Sequence, residues 1–194
     1  MAAKSNLRNM VLCLGAVCLV CSALLAGVNA LTEAPIKEAA EKALKESISA
    51  VLPQGGELSE ERSVRVGDQI YVYYECTLAE GPACYAVKST VQGFGGPLTL
   101  MVGVLGDLTI NNTSVLSHSE TPGLGAKCAT DEGFMNQWKG FNGVLKVRKD
   151  GGDVDAITAS TITSRAYTLA VEQAVAAVKA IQAQNEQTKE ETNE

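Results

Sequence analysis

Between Asp155 and Ser164 the chain reads DAITASTITS, which places five side-chain alcohols in ten residues: Thr158, Ser160, Thr161, Thr163 and Ser164. One Ser or Thr suffices to cap a helix. Five leave room for a second use, a hydroxyl nucleophile to which something is attached. An amphipathic run follows directly, so these residues sit at a helix start. There the first backbone N–H groups lack intrahelical partners and the potential is positive, which suits a phosphate. A capping segment and an attachment site both satisfy the pattern. Upstream, SHSETPGLG (residues 117–125) is a glycine-rich loop with one carboxylate, Glu120. Its glycines would let backbone come close to a ligand.

Other chemistries find little support. His118 is the only histidine, so any Cys–His or Ser–His nucleophile pair would have to use it. A lone His at a strand end reads more simply as a hydrogen-bonded structural residue. The chain has no phosphate-binding Walker loop, no dinucleotide fingerprint after a strand, and no carboxylate pair in a glycosidase context. None of the six cysteines has zinc or iron–sulfur spacing. Asn111-Asn112-Thr113-Ser114 holds two overlapping glycosylation sequons, a pattern frequent by chance. Aromatics at 5% and a net charge of −6 argue against nucleic acid as a partner.

Several elements must position these loops. Lys4 and Arg8 precede an uncharged run from Asn9 to Thr32. Roughly 20 helical residues cross a hydrocarbon core of about 30 Å, so this run is long enough. A cleaved signal peptide is the competing reading, with VNA ending at Ala30 as its cleavage site. The run exceeds the usual signal core, which favours an uncleaved anchor. A lipoprotein fits less well, because Cys18 and Cys21 each follow Val. The basic flank places the amino end in the cytoplasm and residues 33–194 outside. Thr32, with Glu33 and Pro35 behind it, reads as the cap of a second helix. Ile36, Ala40, Ala43, Leu44, Ile48 and Val51 make its apolar stripe, which would pack on the domain.

From Ser63 to about Leu116 come short β-prone runs: SVRVGDQIYVYYEC, ACYAVKSTVQG, LTLMVGVLG and LTINNTSVLSH. Turn signals GD, EGP, GFGGP, GD and NN punctuate them, as in an antiparallel meander. Cys76 and Cys84 bracket TLAEGPA, a hairpin-like turn in an oxidising compartment, and a disulfide between them is one reading. Asp131 to Lys139 spaces Phe134 and Trp138 for one face of a short helix. VLKVRKDGGDVDAIT predicts one more strand with a Gly-Gly turn. Tyr167, Val171, Ala174, Val175, Val178 and Ile181 predict a last amphipathic helix, and NEQTKEETNE a frayed acidic tail. The fold class is α+β: one amino-terminal transmembrane helix, then an antiparallel sheet domain with flanking helices. The expected divisions are a cytoplasmic start and anchor at 1–32, a linking helix at 33–62, a ligand-binding domain at 63–184 and the tail at 185–194.

These pieces, in order, resemble a known family. VNALTEAPI, CYAVKSTVQGFGGPLTLMVGV, HSETPGLG, Trp138 with Phe141–Gly143, and DVDAITASTITSRA look like the FMN-binding G-type subunit of Rnf-type electron-transport complexes. They are similar, more distantly, to the C-type subunit of the sodium-pumping NADH:quinone oxidoreductases. The likeness spans roughly residues 7–180. In that family the second motif reads Ser/Thr-Gly-Ala-Thr, and its final Thr carries FMN through a phosphoester. Here the aligned residues are Thr158-Ala159-Ser160-Thr161, so the resemblance assigns Thr161 as the flavin carrier. It implies further flavin-site roles for Glu120, Thr121, Leu124, Gly125, Thr158, Ile162 and Thr163. Two residues depart from the family motif, Ala159 standing for Gly and Ser160 for Ala; if that Gly serves a positive φ, Ala159 costs about 1 kcal/mol. The implied function is electron relay through covalent FMN in a bacterial cytoplasmic-membrane complex that couples ferredoxin and NAD chemistry to ion movement. Implied partners are the other subunits, a flavin transferase and membrane lipid. Two alternatives stay open: an anchored FMN protein of another respiratory or reductase pathway, and a binding module without flavin.

Overall fold

The computed structural model describes residues 7–77 and 83–192. They fall into two compact units, Met1–Ala43 and Leu44–Glu194.

The described residues of the first unit are helical and belong to α1, a single helix of 45 residues from Leu7 to Val51. It is long and apolar enough to cross a membrane. Its large apolar side chains between Met10 and Leu31 are exposed. The helix restart expected at Thr32 does not occur. Thr32 Oγ1 instead donates back to the Val28 carbonyl at 2.9 Å, which holds the hydroxyl inside a running helix rather than at a cap. Pro35 also lies within α1, and a Glu33–Lys37 pair at 2.7 Å supports the same turn. The predicted stripe divides as well. Ile36, Ala40 and Ala43 are exposed, and only the positions from Leu44 onward pack.

In the second unit the last turns of α1 meet a sheet. Ile48, Val51 and Leu52 bury against Tyr74, Cys76, Cys84, Ala86 and Met101. The strands are β1 (Glu57–Leu58), β2 (Arg62–Val66), β3 (Gln69–Thr77), β4 (Cys84–Gln92), β5 (Pro97–Leu105) and β6 (Ile110–His118). All these strand pairs are antiparallel. The order is β1-β3-β4-β5-β6, with β2 pairing β3 farther along the strand. Cys76 and Cys84 are partners across β3 and β4, both buried and both thiols. The expected turn between them lies mostly in residues 78–82, outside the described residues.

Strand β5 is buried from Leu98 to Val104, because both faces of the sheet are covered. Leu98, Leu100, Val102 and Val104 face the main core, and Met101 faces the end of α1. The main core is closed by α3 (Thr161–Thr192), whose Tyr167, Val171, Ala174, Val178 and Ile181 are buried as the periodicity predicts. The helix runs to Thr192, so the acidic end continues it instead of fraying at residue 185. Helix α2 (Glu132–Asn136) is capped by Asp131, which accepts the Phe134 N–H. It brings Phe134 and Trp138 onto Tyr167, with the Trp138 and Tyr167 rings stacked at 5.2 Å.

Two further expectations fail for physical reasons. Asn111 and Asn112 form no turn but lie inside β6. Their amides donate to the carbonyls of Val51 (2.7 Å) and Ala50 (2.9 Å), which the end of α1 leaves without helical partners. The strand expected near Val147 is a short 3-10 turn at Arg148–Asp150. Gly151 follows it at φ 83°, and a single bridge joins Val147 to Val154.

Candidate functional site

The two loops singled out by the sequence meet at one cavity of about 350 Å³. Its walls come from three places. The β4–β5 turn gives Phe94. The loop after β6 gives Glu120, Thr121, Leu124 and Gly125. The start of α3 gives Ala159, Ser160, Thr161, Ile162 and Thr163.

Glu120 ties these walls together. It is 5% exposed. Its Oε1 accepts the Phe94 N–H at 2.8 Å, and its Oε2 accepts the Thr163 hydroxyl at 2.8 Å. Its own N–H donates to His118 Nδ1 at 3.3 Å, so the one histidine is a structural acceptor, as expected. Two glycines are required by this arrangement. A Cβ on Gly93 would lie 2.1 Å from Glu120 Oε1, and one on Gly125 would lie 2.3 Å from Oε2. Below this wall Cys128 is fully buried. Burial first, and the neighbouring Glu120 second, push its thiol up to about 11. It is therefore not a nucleophile at neutral pH.

The alcohol-rich segment forms a turn and then the helix. Ser160 N–H donates to the Ile157 carbonyl at 3.0 Å, which closes a four-residue turn. Ala159 occupies its third position with φ 62°, where glycine is the favoured residue. Left-handed backbone at a residue with a Cβ costs about 1–2 kcal/mol. Ser164 Oγ staples the turn to the helix, donating to the Ser160 carbonyl at 3.0 Å and accepting the Ile157 N–H at 2.9 Å.

Two of the five crowded hydroxyls are thus accounted for. Thr163 holds Glu120 and Ser164 holds the turn. Thr158 is exposed and outside the cavity wall. Thr161, half-buried at the first residue of α3, lines the cavity, and its hydroxyl makes no hydrogen bond among the described residues. Of the site residues inferred from sequence, Glu120, Thr121, Leu124, Gly125, Thr161, Ile162 and Thr163 therefore converge, and Thr158 does not. Phe94 was missed. It is a large apolar side chain 65% exposed, and with Leu124 (45%) and Ile162 (54%) it gives the cavity an apolar rim. A phenylalanine inside GFGGP was the only signal for it. Among the described residues no cluster of metal-ligating side chains occurs.

The cavity thus combines an apolar rim with the open start of a long helix. Residues 93–176 match the FMN-binding domain model, which gives the class. Residues 1–51 match the RnfG N-terminal region. The G-type subunit of an ion-translocating oxidoreductase complex from Methanosarcina acetivorans is 31% identical over 186 residues, covering 93% of this chain and 98% of that one. Its namesake from Vibrio cholerae is 33% identical over 175 residues, covering 80% and 82%. Among solved structures, the C-type subunit of the Na(+)-translocating NADH-quinone reductase from Parabacteroides distasonis aligns with a TM-score of 0.45 at 28% identity, covering 55% of this chain and 59% of that one. Shewanella oneidensis NqrC aligns at 0.47 and 26%, covering 62% and 61%. The chain belongs to the RnfG family, the G-type subunits of Rnf-type ion-translocating oxidoreductase complexes.

Proposed function

We propose that the cavity holds FMN joined through its phosphate to Thr161 Oγ1, and that the chain relays electrons within an Rnf-type membrane complex coupling ferredoxin and NAD chemistry to ion translocation. One observation carries the attachment site. Thr161 is the alcohol of the segment that is partly exposed, faces the cavity and has no partner among the described residues. The residues present fit the group. A volume of about 350 Å³ lies within the range of small-molecule sites. The N–H groups of Thr161, Ile162 and Thr163 open α3 and suit the phosphate. Phe94, Leu124 and Ile162 would cover the ring from water. Bound FMN supplies one-electron chemistry, and the protein sets its position and surroundings.

The long apolar helix would anchor the chain in lipid as a single span. The basic amino flank would stay in the cytoplasm and the domain would lie outside. Attachment would need a flavin transferase and a flavin dinucleotide donor, whose pyrophosphate bond breaks as the Thr161 oxygen takes the FMN phosphoryl group, the other nucleotide leaving and the hydroxyl proton passing to solvent. The other subunits would supply and accept electrons. The test is intact mass and in-gel flavin fluorescence of variants made alongside the transferase. Thr161→Ala should lose the flavin mass entirely, Thr158→Ala should keep it, and Thr163→Ala should keep it at reduced occupancy. Covalent FMN persisting in Thr161→Ala would reject the assignment.

A further inference from the structure

Ser160 sits at the N-cap of α3, where its carbonyl accepts the Ser164 N–H at 3.0 Å. A serine in this place ordinarily turns its Oγ to accept an N–H two or three residues on. Ser160 does not. The residue is 7% exposed, its Oγ is cut off from solvent, and that oxygen has no hydrogen-bond partner among the described residues. Buried hydroxyls are nearly always paired, so an orphan in a cavity wall points to a ligand.

The rest of the wall says what the ligand must offer. No Lys or Arg among the described residues lines the cavity. An anion there has to be held by neutral donors: the opening N–H groups of α3 and hydroxyls. Thr163 Oγ1 is engaged by Glu120 and Ser164 Oγ by the Ser160 carbonyl, so neither can turn to a ligand without breaking a buried bond. Thr121 also lines the cavity but is exposed, so Ser160 Oγ is the buried hydroxyl left over, next in sequence to Thr161.

We propose that Ser160 Oγ, turned about χ1 into the cavity that the residue lines, donates a hydrogen bond to the phosphate of the bound flavin, and so selects phosphorylated over unphosphorylated flavin. This rests on the reading of the cavity as an FMN site. Ser160 is a phosphate-reading residue, distinct from the attachment residue beside it and from the apolar rim that meets the ring.

The experiment uses the full-length chain in detergent, carrying Thr161→Ala so that binding is reversible. FMN and riboflavin are titrated separately and followed by flavin fluorescence. Adding Ser160→Ala should weaken FMN about tenfold, the size of one hydrogen bond to a charged group. Riboflavin should change less than about twofold, on the same reasoning that it has no phosphate to lose a bond to. Ser160→Thr, which restores a hydroxyl, should recover most of the FMN affinity. Equal weakening of both flavins would overturn the proposal and leave Ser160 a structural residue. No weakening of either would overturn it too, while the flavin site would stand. If the Thr161→Ala chain binds neither flavin, this inference falls, while the FMN reading is decided separately by the flavin mass of the parent chain made alongside the transferase.

Discussion

Replacing Glu120 should loosen the domain by an amount that depends on which bond is lost. Glu120→Ala removes the acceptor of two donors at once. Thr163 is 2% exposed, and its hydroxyl would be left buried without a partner, which costs about 1–3 kcal/mol. The Phe94 N–H lies on an exposed turn where water can replace the carboxylate, so its loss costs about 0.5–1 kcal/mol. Part of this is offset, because alanine no longer has to bury a carboxylate. The net expectation is a loss of about 1–3 kcal/mol, or a fall in Tm of about 3–10 °C for a domain of this size. Glu120→Gln should behave differently. Its carbonyl oxygen can keep the Phe94 N–H, and its amide can donate to Thr163 Oγ1 if that hydroxyl rotates. Its cost should stay under about 1 kcal/mol. Trp138 is the only tryptophan and is fully buried, so its fluorescence reports unfolding of this unit alone. Flavin-free chains should be compared, which separates the fold from the ligand. If Glu120→Gln melts as low as Glu120→Ala, or if Glu120→Ala melts like the parent, the carboxylate does not bind the three walls as argued.

Ala159→Gly should stabilise the domain by about 0.5–1 kcal/mol, since relief of the left-handed backbone exceeds the extra freedom of glycine in the unfolded chain; a lower Tm would refute the strain. Gly125→Ala should cost at least about 2 kcal/mol, because its Cβ would press between Glu120 and Thr163. Combined with Glu120→Ala it should cost less than the two single changes added, as expected for groups in contact; additive losses would show the two sites to be independent. Protease added to intact spheroplasts should digest the domain, whereas protection, or a mature chain beginning at Leu31, would reject the proposed topology.

The site was legible in proportion to how far its signals were local. Alcohols followed by an apolar 3.6-residue period mark the start of α3, and Glu120 is the one acid of its loop. What Glu120 holds was not legible, because a backbone N–H such as that of Phe94 has no residue signature. The Asn111-Asn112 pair misled for a related reason. Asparagine favours turns locally, but here distant carbonyls at the end of α1 compete for the same amides and win. Thr32 and Pro35 carry the punctuation of a helix start, yet flanking segments that are helical on both sides overrode it. The strand expected near Val147 gave way to a turn at Gly151 and Gly152, where a Cβ on Gly152 would collide with the Lys146 carbonyl at 2.0 Å.

The order of the meander sets an order in time. Strands β3 to β6 each pair with the strand next to them in sequence, so a chain made from its amino end can complete these hairpins early. The residues that finish the cavity come some forty positions after Glu120, and the helix that holds them goes on to Thr192. A partly synthesised chain can thus own a sheet while still lacking a site. If Thr161 carries the flavin as proposed, its full setting exists only once the carboxyl-terminal helix has docked, so attachment there would report a finished fold.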